Sequence, residues 1–283
     1  MNQEPSRDQI DSLIKSGLKE DIGSGDITTR SILTEDQIYE AKVLARDNLI
    51  LSGLNIFKAV FSYLDPEVSF SDAPFADGDA VPDGAPIIKL KGRGIALLEG
   101  ERVALNILQR LCGIASLTRD FVERANPIEI WDTRKTTPGL RVFEKYAVLC
   151  GGGKNHRFGL YDAVLIKDNH IKAAGGILPA VEKVRSQHGS QTSIEVETTN
   201  HAEVNQALDA KSDIIMLDNM SLEDICEAVR IIDGRARIEV SGTVTLDRLE
   251  SLSSTGIDYV SVGALTHSAR ASDISMNFAS LPS

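Results

Sequence analysis

Residues 193–241, SIEVETTNHAEVNQALDAKSDIIMLDNMSLEDICEAVRIIDGRARIEVS, read as strand, helix, strand, helix, strand. Ser193–Glu197, Asp213–Asp218 and Arg237–Ser241 are strand candidates, and His201–Asp209 and Leu222–Ile232 between them pattern as helices;. The rhythm continues outward. Ile128–Asp132 and Ala163–Lys167 upstream and Asp258–Val262 downstream add three strands, with Arg141–Leu149, Leu178–Gln187 and Leu246–Ser254 as further helices. Strands separated by helices must run parallel under covering helices, which leaves an α/β barrel or an open doubly wound sheet. Asp132, Arg134, Lys135, Lys167, Asp168, Glu197, Asp218, Ser241 and Gly263 all fall at or just beyond strand C-terminal ends. Barrels assemble their active sites on that rim, so the barrel is favoured.

The chain before this alternation has a different rhythm. An amphipathic stretch Asp8–Glu20, a strand-like Tyr39–Ala45, an apolar helix Leu54–Tyr63 and a Gly-, Pro- and Asp-rich segment Asp72–Gly94 predict a smaller α+β domain;. A long helix over Gly100–Ala125 then leads into the alternation. The expected division is residues 1–113, with the tail 271–283 as a candidate addition, and a barrel over 114–270.

With 283 residues, 42% hydrophobic content and a formal net charge of −11, the chain can bury a sizeable core and lacks the basic footprint of a nucleic-acid binder;. No run reaches the roughly 18 apolar residues of a membrane span, and the start MNQEPSRDQ is no signal peptide, so no membrane and a cytoplasmic setting are expected;. Cys112, Cys150 and Cys226 are too scattered for a disulfide framework or a metal knuckle and read as reduced thiols;.

Against this acidic background Trp131–Lys172 carries eight Lys/Arg and four Asp/Glu. Arg134-Lys135 and Lys167 leave the ends of strands, the place for a pocket that takes a small anion rather than for solvated helix faces;. Gly151-Gly152-Gly153 reads either as a helix C-cap or as a flexible loop carrying Lys154-Asn155-His156-Arg157 toward a ligand;. It is no P-loop, since Asn155 follows the Lys, and Gly92-Arg93-Gly94 does not extend to a dinucleotide fingerprint;. Glu195 and Glu197, two apart on a strand, share a face, and inward carboxylates are costly unless paired or metal-bound;. Glu197 and Asp218 could hold Mg²⁺ or could pair with Lys167 and Arg157; spacing leaves both readings open. Gly263 and His267 after the last strand, with Ser241-Gly242 after the one before, form a candidate phosphate site;. His170, His188 and His201 have no zinc spacing.

Taken together, GERVALN, DTRKTTPGLR, GGGKNHRFGLYDAVLIKDNH, EVE and IMLDN resemble the quinolinate phosphoribosyltransferase family, also called carboxylating nicotinate-nucleotide pyrophosphorylase, and the resemblance runs from EDIGSGDITT to VGALTHSA. It implies an N-terminal α/β sandwich, an incomplete α/β barrel of the type II phosphoribosyltransferase kind and a homodimer with shared active sites. The implied reaction joins quinolinate to phosphoribosyl pyrophosphate with Mg²⁺, releasing pyrophosphate, CO₂ and nicotinate mononucleotide for NAD synthesis. By motif position, Arg134, His156, Arg157 and Lys167 would hold the quinolinate carboxylates, with Arg102 lent by the partner subunit. Lys135 would bridge the two substrates, and Glu197 and Asp218 would bind the ribose hydroxyls and Mg²⁺, directly or through substrate or water. Ser241, Gly242, Gly263 and His267 would hold the 5′-phosphate, and Lys135, Lys167, Glu197 and Asp218 are the expected catalytic groups. A paralogue acting on another small anion and a non-catalytic binding protein are the competing classes. The TRK and NHR cations weigh against the first and the two carboxylates against the second. The adjacent acids of a type I phosphoribosyltransferase strand are absent from Leu217-Asp218-Asn219.

Overall fold

The computed structural model describes residues 4–278. Its described residues form two compact bodies, one from residues 4–119, 137–152 and 268–278, the other from 120–136 and 153–267. Residues 279–283 of the expected tail lie outside the described part.

The first body contains helices α1 (Arg7–Ile22), α2 (Thr29–Ile32) and α3 (Leu54–Leu64), strands β1 (Ile38–Ala45), β2 (Leu49–Ile50), β3 (Ser69–Phe70), β4 (Ala80–Val81) and β5 (Pro86–Arg93), and most of the long α4 (Gly94–Ala125). It also takes α5 (Arg141–Cys150) and the last strand, β12 (Ile274–Phe278). Ser6 caps α1 reciprocally with Gln9, satisfying two backbone N–H groups that the first turn leaves without partners;. β12, β1, β5 and β3 make an antiparallel sheet in that order. β1 buries alternate residues, Ala41, Val43 and Ala45, as a strand with one covered face should;. Against that face pack Ile14 and Leu18 of α1, Phe57 and Phe61 of α3, and Leu105 and Leu108 of α4. This is the α/β sandwich. α4 begins six residues before the predicted Gly100, because β5 passes directly into it and Ile95, Ala96 and Leu97 are already buried. The Gly- and Pro-rich run before it hid both β5 and that junction.

The second body carries β6 (Glu129–Trp131), β7 (Val164–Ile166), α6 (Asp168–Ala174), α7 (Ile177–His188), β8 (Ile194–Thr198), α8 (His201–Asp209), β9 (Ile214–Asp218), α9 (Leu222–Ile232), β10 (Arg237–Ser241), α10 (Leu246–Leu252), β11 (Tyr259–Ser261) and α11 (Ala264–His267). Its sheet is wholly parallel, in the order β6-β11-β10-β9-β8-β7. The first strand lies beside the last and no reversal of order occurs, which is the progression of a barrel left open between β6 and β7, not of a doubly wound sheet;. Asn200 and Ser221 cap α8 and α9 with their side chains and fix where each strand's loop ends;. All six strands therefore end on one rim.

Candidate active site

That rim encloses a cavity of about 660 Å³. Arg134 and Lys135 reach it from the loop after β6, Lys167 from the end of β7, Glu197 from β8, Asp218 from β9, Ser241 and Gly242 from β10, and Gly263 and His267 from beyond β11. His156 and Arg157 enter from the segment between α5 and β7. Arg102 does not line the cavity; it belongs to the first body and is exposed on α4. His170, His188 and His201 lie elsewhere, His170 accepting the Lys167 backbone N–H at 3.0 Å and His201 meeting the Asp224 carbonyl at 3.1 Å.

The triple-glycine segment is held, not loose. Gly151 and Gly152 donate back to Ala147 and Leu149 as a helix C-cap. Lys154 is laced to β6, donating to Ile130 O at 2.8 Å and accepting from Asp132 N at 2.9 Å. The buried Asp132 carboxylate then takes the backbone N–H of His156 at 2.9 Å.

Two of the pocket's cations, Arg134 and Arg157, interact with each other. Burial and the positive charge of Arg134 together lower the Arg157 pKa, so the two guanidinium groups share one electrostatic environment, and both would gain from an anion between them;. Arg157 is aimed by a hydrogen bond from Nη1 to Ala163 O at 3.3 Å. Lys135 is held through its main chain, its N–H on Thr133 Oγ1 at 3.0 Å and its carbonyl accepting from Thr266 Oγ1 at 2.8 Å.

The acids stand on adjacent strands. Glu197 forms an ion pair with Lys167, one of the two partners that the structural reading of these acids proposed. Asp218 accepts from Asn219 Nδ2 at 2.8 Å. Asn219 itself sits at φ 53°, and Gly242 at φ 122° lies so close that a Cβ there would be 2.4 Å from Asn219 Oδ1. Glycine at 242 is therefore required both by its backbone angle and by this approach.

Sequence reasoning missed Glu239, which lines the cavity floor and is fully buried. His156 Nε2 lies 3.1 Å from Glu239 Oε2 and 3.2 Å from Glu195 Oε2, and Glu239 also accepts from Ser261 Oγ. Glu195, at 4% exposure, thus obtains the pairing an inward carboxylate needs. Burial, aided by the nearby Glu239 charge, raises Glu195 to about 7. Burial also disfavours a charged His156, yet its hydrogen bonds to the two acids more than offset this and raise its pKa. Both shifts describe one proton shared by a coupled cluster. The Arg157 backbone N–H lies 2.8 Å from His156 Nδ1.

Comparison with known proteins covers the whole arrangement. The model of the quinolinate phosphoribosyl transferase N-terminal domain matches residues 26–112 and that of the C-terminal domain residues 114–277. A probable nicotinate-nucleotide pyrophosphorylase [carboxylating] of Bacillus subtilis is 45% identical over 271 residues, covering 95% of this chain and 93% of that protein. A quinolinate phosphoribosyltransferase [decarboxylating] of Nicotiana tabacum is 41% identical over 94% of this chain and 81% of its own. The solved structure of the nicotinate-nucleotide pyrophosphorylase of Francisella tularensis superposes with a TM-score of 0.93 at 41% identity, covering 99% of each chain. Family models and relatives thus match along nearly the full length, and the chain belongs to the quinolinate phosphoribosyltransferase family.

Proposed function

We propose that this pocket transfers the phosphoribosyl group of phosphoribosyl pyrophosphate to the nitrogen of quinolinate, releasing pyrophosphate and CO₂ and leaving nicotinate mononucleotide for NAD synthesis. The relatives named for this carboxylating or decarboxylating reaction support it. The observation that carries it is that one cavity holds two sets of charge, Arg134 and Arg157, electrostatically coupled, and Glu197 and Asp218 on neighbouring strands. A planar dianion suits the first, because guanidinium forks match carboxylates in pairs. A sugar carbon that becomes positive suits the second.

Arg134, His156, Arg157 and Lys167 hold the two carboxylates and turn the pyridine nitrogen toward the ribose; Lys135 lies between the substrates. Ser241, Gly242, Gly263 and His267 take the 5′-phosphate. As the C1–pyrophosphate bond breaks, Glu197 and Asp218 stabilise the positive charge on C1, and the nitrogen lone pair captures that carbon. The resulting pyridinium accepts the electrons of the adjacent C–CO₂ bond, and the carbon left behind takes up a proton. No covalent bond to the enzyme forms, and positioning with fixed charges supplies the catalysis. The oxygen donors of Glu197 and Asp218 suit Mg²⁺, with substrate oxygens completing its shell. When bound there it would offset the charge of the departing pyrophosphate. We place the reaction in the cytoplasm, in keeping with the three unpaired cysteines. We also propose a homodimer in which the exposed Arg102 of one subunit joins the cations of the other's pocket.

The test is direct. Purified protein given quinolinate labelled in the adjacent carboxyl group, phosphoribosyl pyrophosphate and Mg²⁺ should release labelled CO₂ and form the mononucleotide in equal amounts. Neither product, or consumption of nicotinate in place of quinolinate, rejects the reading.

A further inference from the structure

The last loop of the barrel holds a buried hydroxyl to which the proposed reaction gives no task. Thr266, in α11, is fully buried, and its Oγ1 lies 2.8 Å from the Lys135 carbonyl oxygen and 3.3 Å from that of Gly263. A hydroxyl has one proton to donate, and the shorter contact takes the larger share of it. Its acceptor stands 131 residues away in the chain, in the loop after β6. The two loops are neighbours because β6 and β11 pair, with Ser261 beside Trp131, and because the Val262 N–H just past β11 donates to Trp131 O at 2.9 Å. The Thr266 hydroxyl continues that connection to the residues that line the cavity.

The side chain of Lys135 follows the same course. A Cβ on Gly263 would lie 2.9 Å from Lys135 Cδ and 3.3 Å from the His267 ring, so the lysine stem and the imidazole both lie against this glycine. Thr133 Oγ1 takes the Lys135 N–H and Thr266 Oγ1 donates to its carbonyl, which fixes the peptide on each side of the Lys135 Cα. We infer that Thr266 is a positioning residue for Lys135: its hydroxyl ties the lysine to the loop carrying Gly263 and His267, so that the ammonium and the phosphate-taking residues meet one ligand as a unit. Without that hydroxyl the Lys135 carbonyl loses its donor, and the loop after β6 can drift from the loop after β11. A lysine ordered in advance holds its anion more tightly, because less conformational freedom remains to be lost on binding. Thr266 thus acts on the phosphoribosyl group without touching it.

This inference rests on the proposed reaction for the identity of the substrate, and turnover by the wild-type enzyme checks that reaction beforehand. Calorimetry with ribose 5-phosphate reads the same anion site without any turnover. Thr266→Val keeps the shape of the side chain and removes the hydroxyl. It should raise the KM for phosphoribosyl pyrophosphate by about tenfold or more, against about threefold at most for quinolinate, and weaken ribose 5-phosphate binding in the same direction. Thr266→Ser restores the hydroxyl and should recover most of the loss. The deciding measurement is a cycle with Lys135→Ala, followed in kcat/KM for phosphoribosyl pyrophosphate and in ribose 5-phosphate affinity. If Thr266 acts through the lysine, Thr266→Val should change either quantity by less than about twofold once that side chain is gone. The same loss with and without the lysine would mean that Thr266 serves the phosphate loop alone and would overturn the inference. So would wild-type constants in the Val variant, or a Ser variant as impaired as Val. Should Thr266→Val not fold, Thr266→Ala removes the same hydroxyl with less bulk and runs the same cycle.

Discussion

Arg134 and Arg157 come from different segments of the chain, one following β6 and one following the triple glycine, so neither can replace the other by a rotamer change. Replacing either with Ala should cost about 2–5 kcal/mol in quinolinate binding or transition-state stabilisation, and Lys should recover little because the planar fork is lost. Near-normal kcat/KM in both Ala variants would contradict the assignment. Away from the pocket, Glu144 is fully buried and accepts from Arg110 Nη2, Thr137 N and Thr137 Oγ1, each at 2.9 Å. Glu144→Ala should cost about 3 kcal/mol, read from the urea midpoint, because Arg110 and the Thr137 N–H lose their acceptor together. Asp65 gives the acid-side test. Burial alone would raise its pKa, but the backbone N–H groups of Arg93 and Glu67 and the Arg93 guanidinium more than offset that and hold its carboxyl below the usual range. A depressed carboxyl contributes stability above its unfolded pKa of about 4 and loses it as pH falls through the lower folded value. Unfolding measured across that acid window should show a shallower pH slope in Asp65→Asn than in wild type, and identical slopes would remove Asp65 as a source of acid lability.

At the level of elements, α4 shows how closely backbones must meet. A Cβ on Gly113 would lie 1.9 Å from the carbonyl oxygen of Arg270. Ala normally favours a helix over Gly by about 1 kcal/mol, yet Gly113→Ala should here destabilise by about 1–3 kcal/mol, since helix or segment must shift. A melting temperature raised by this variant would show that the contact yields freely. The elements most legible in the sequence are those whose packing is one-sided or complete. β10, α8 and α9 fall on the residues expected, because the strand alternates apolar with polar residues and the helices are amphipathic and capped by Asn200 and Ser221;. α6 was not legible: it buries no residue and so carries no apolar stripe. In the pocket, the charged rim was legible because charges directly follow apolar strands. Glu239 was not. Within RIEVS it is an ordinary member of an alternating strand, and its meaning depends on His156, 83 residues away in the chain.

For the whole molecule, the proposed sharing of Arg102 makes a prediction that no single chain can mimic. Arg102→Ala and Glu197→Gln homodimers should each be nearly inactive. Mixed dimers should hold one site with both defects and one with neither, so random reassociation should restore roughly a quarter of wild-type activity. If Arg102 serves its own subunit, every site keeps a defect, and verified subunit exchange will restore nothing. The return of β12 to the sheet of the first body matters before any of this chemistry begins. β12 pairs with β1 from Ala41–Phe278 to Ala45–Ile274 and lays Ile274 and Met276 into the core. On the ribosome, β1 emerges early and its partner follows only after the entire barrel has been made. During that interval β1 is an open edge with an apolar face, the kind of surface that chaperones cover and that neighbouring nascent chains can pair with. Translation arrested ahead of Ile274 should therefore leave a product whose sandwich stays adhesive.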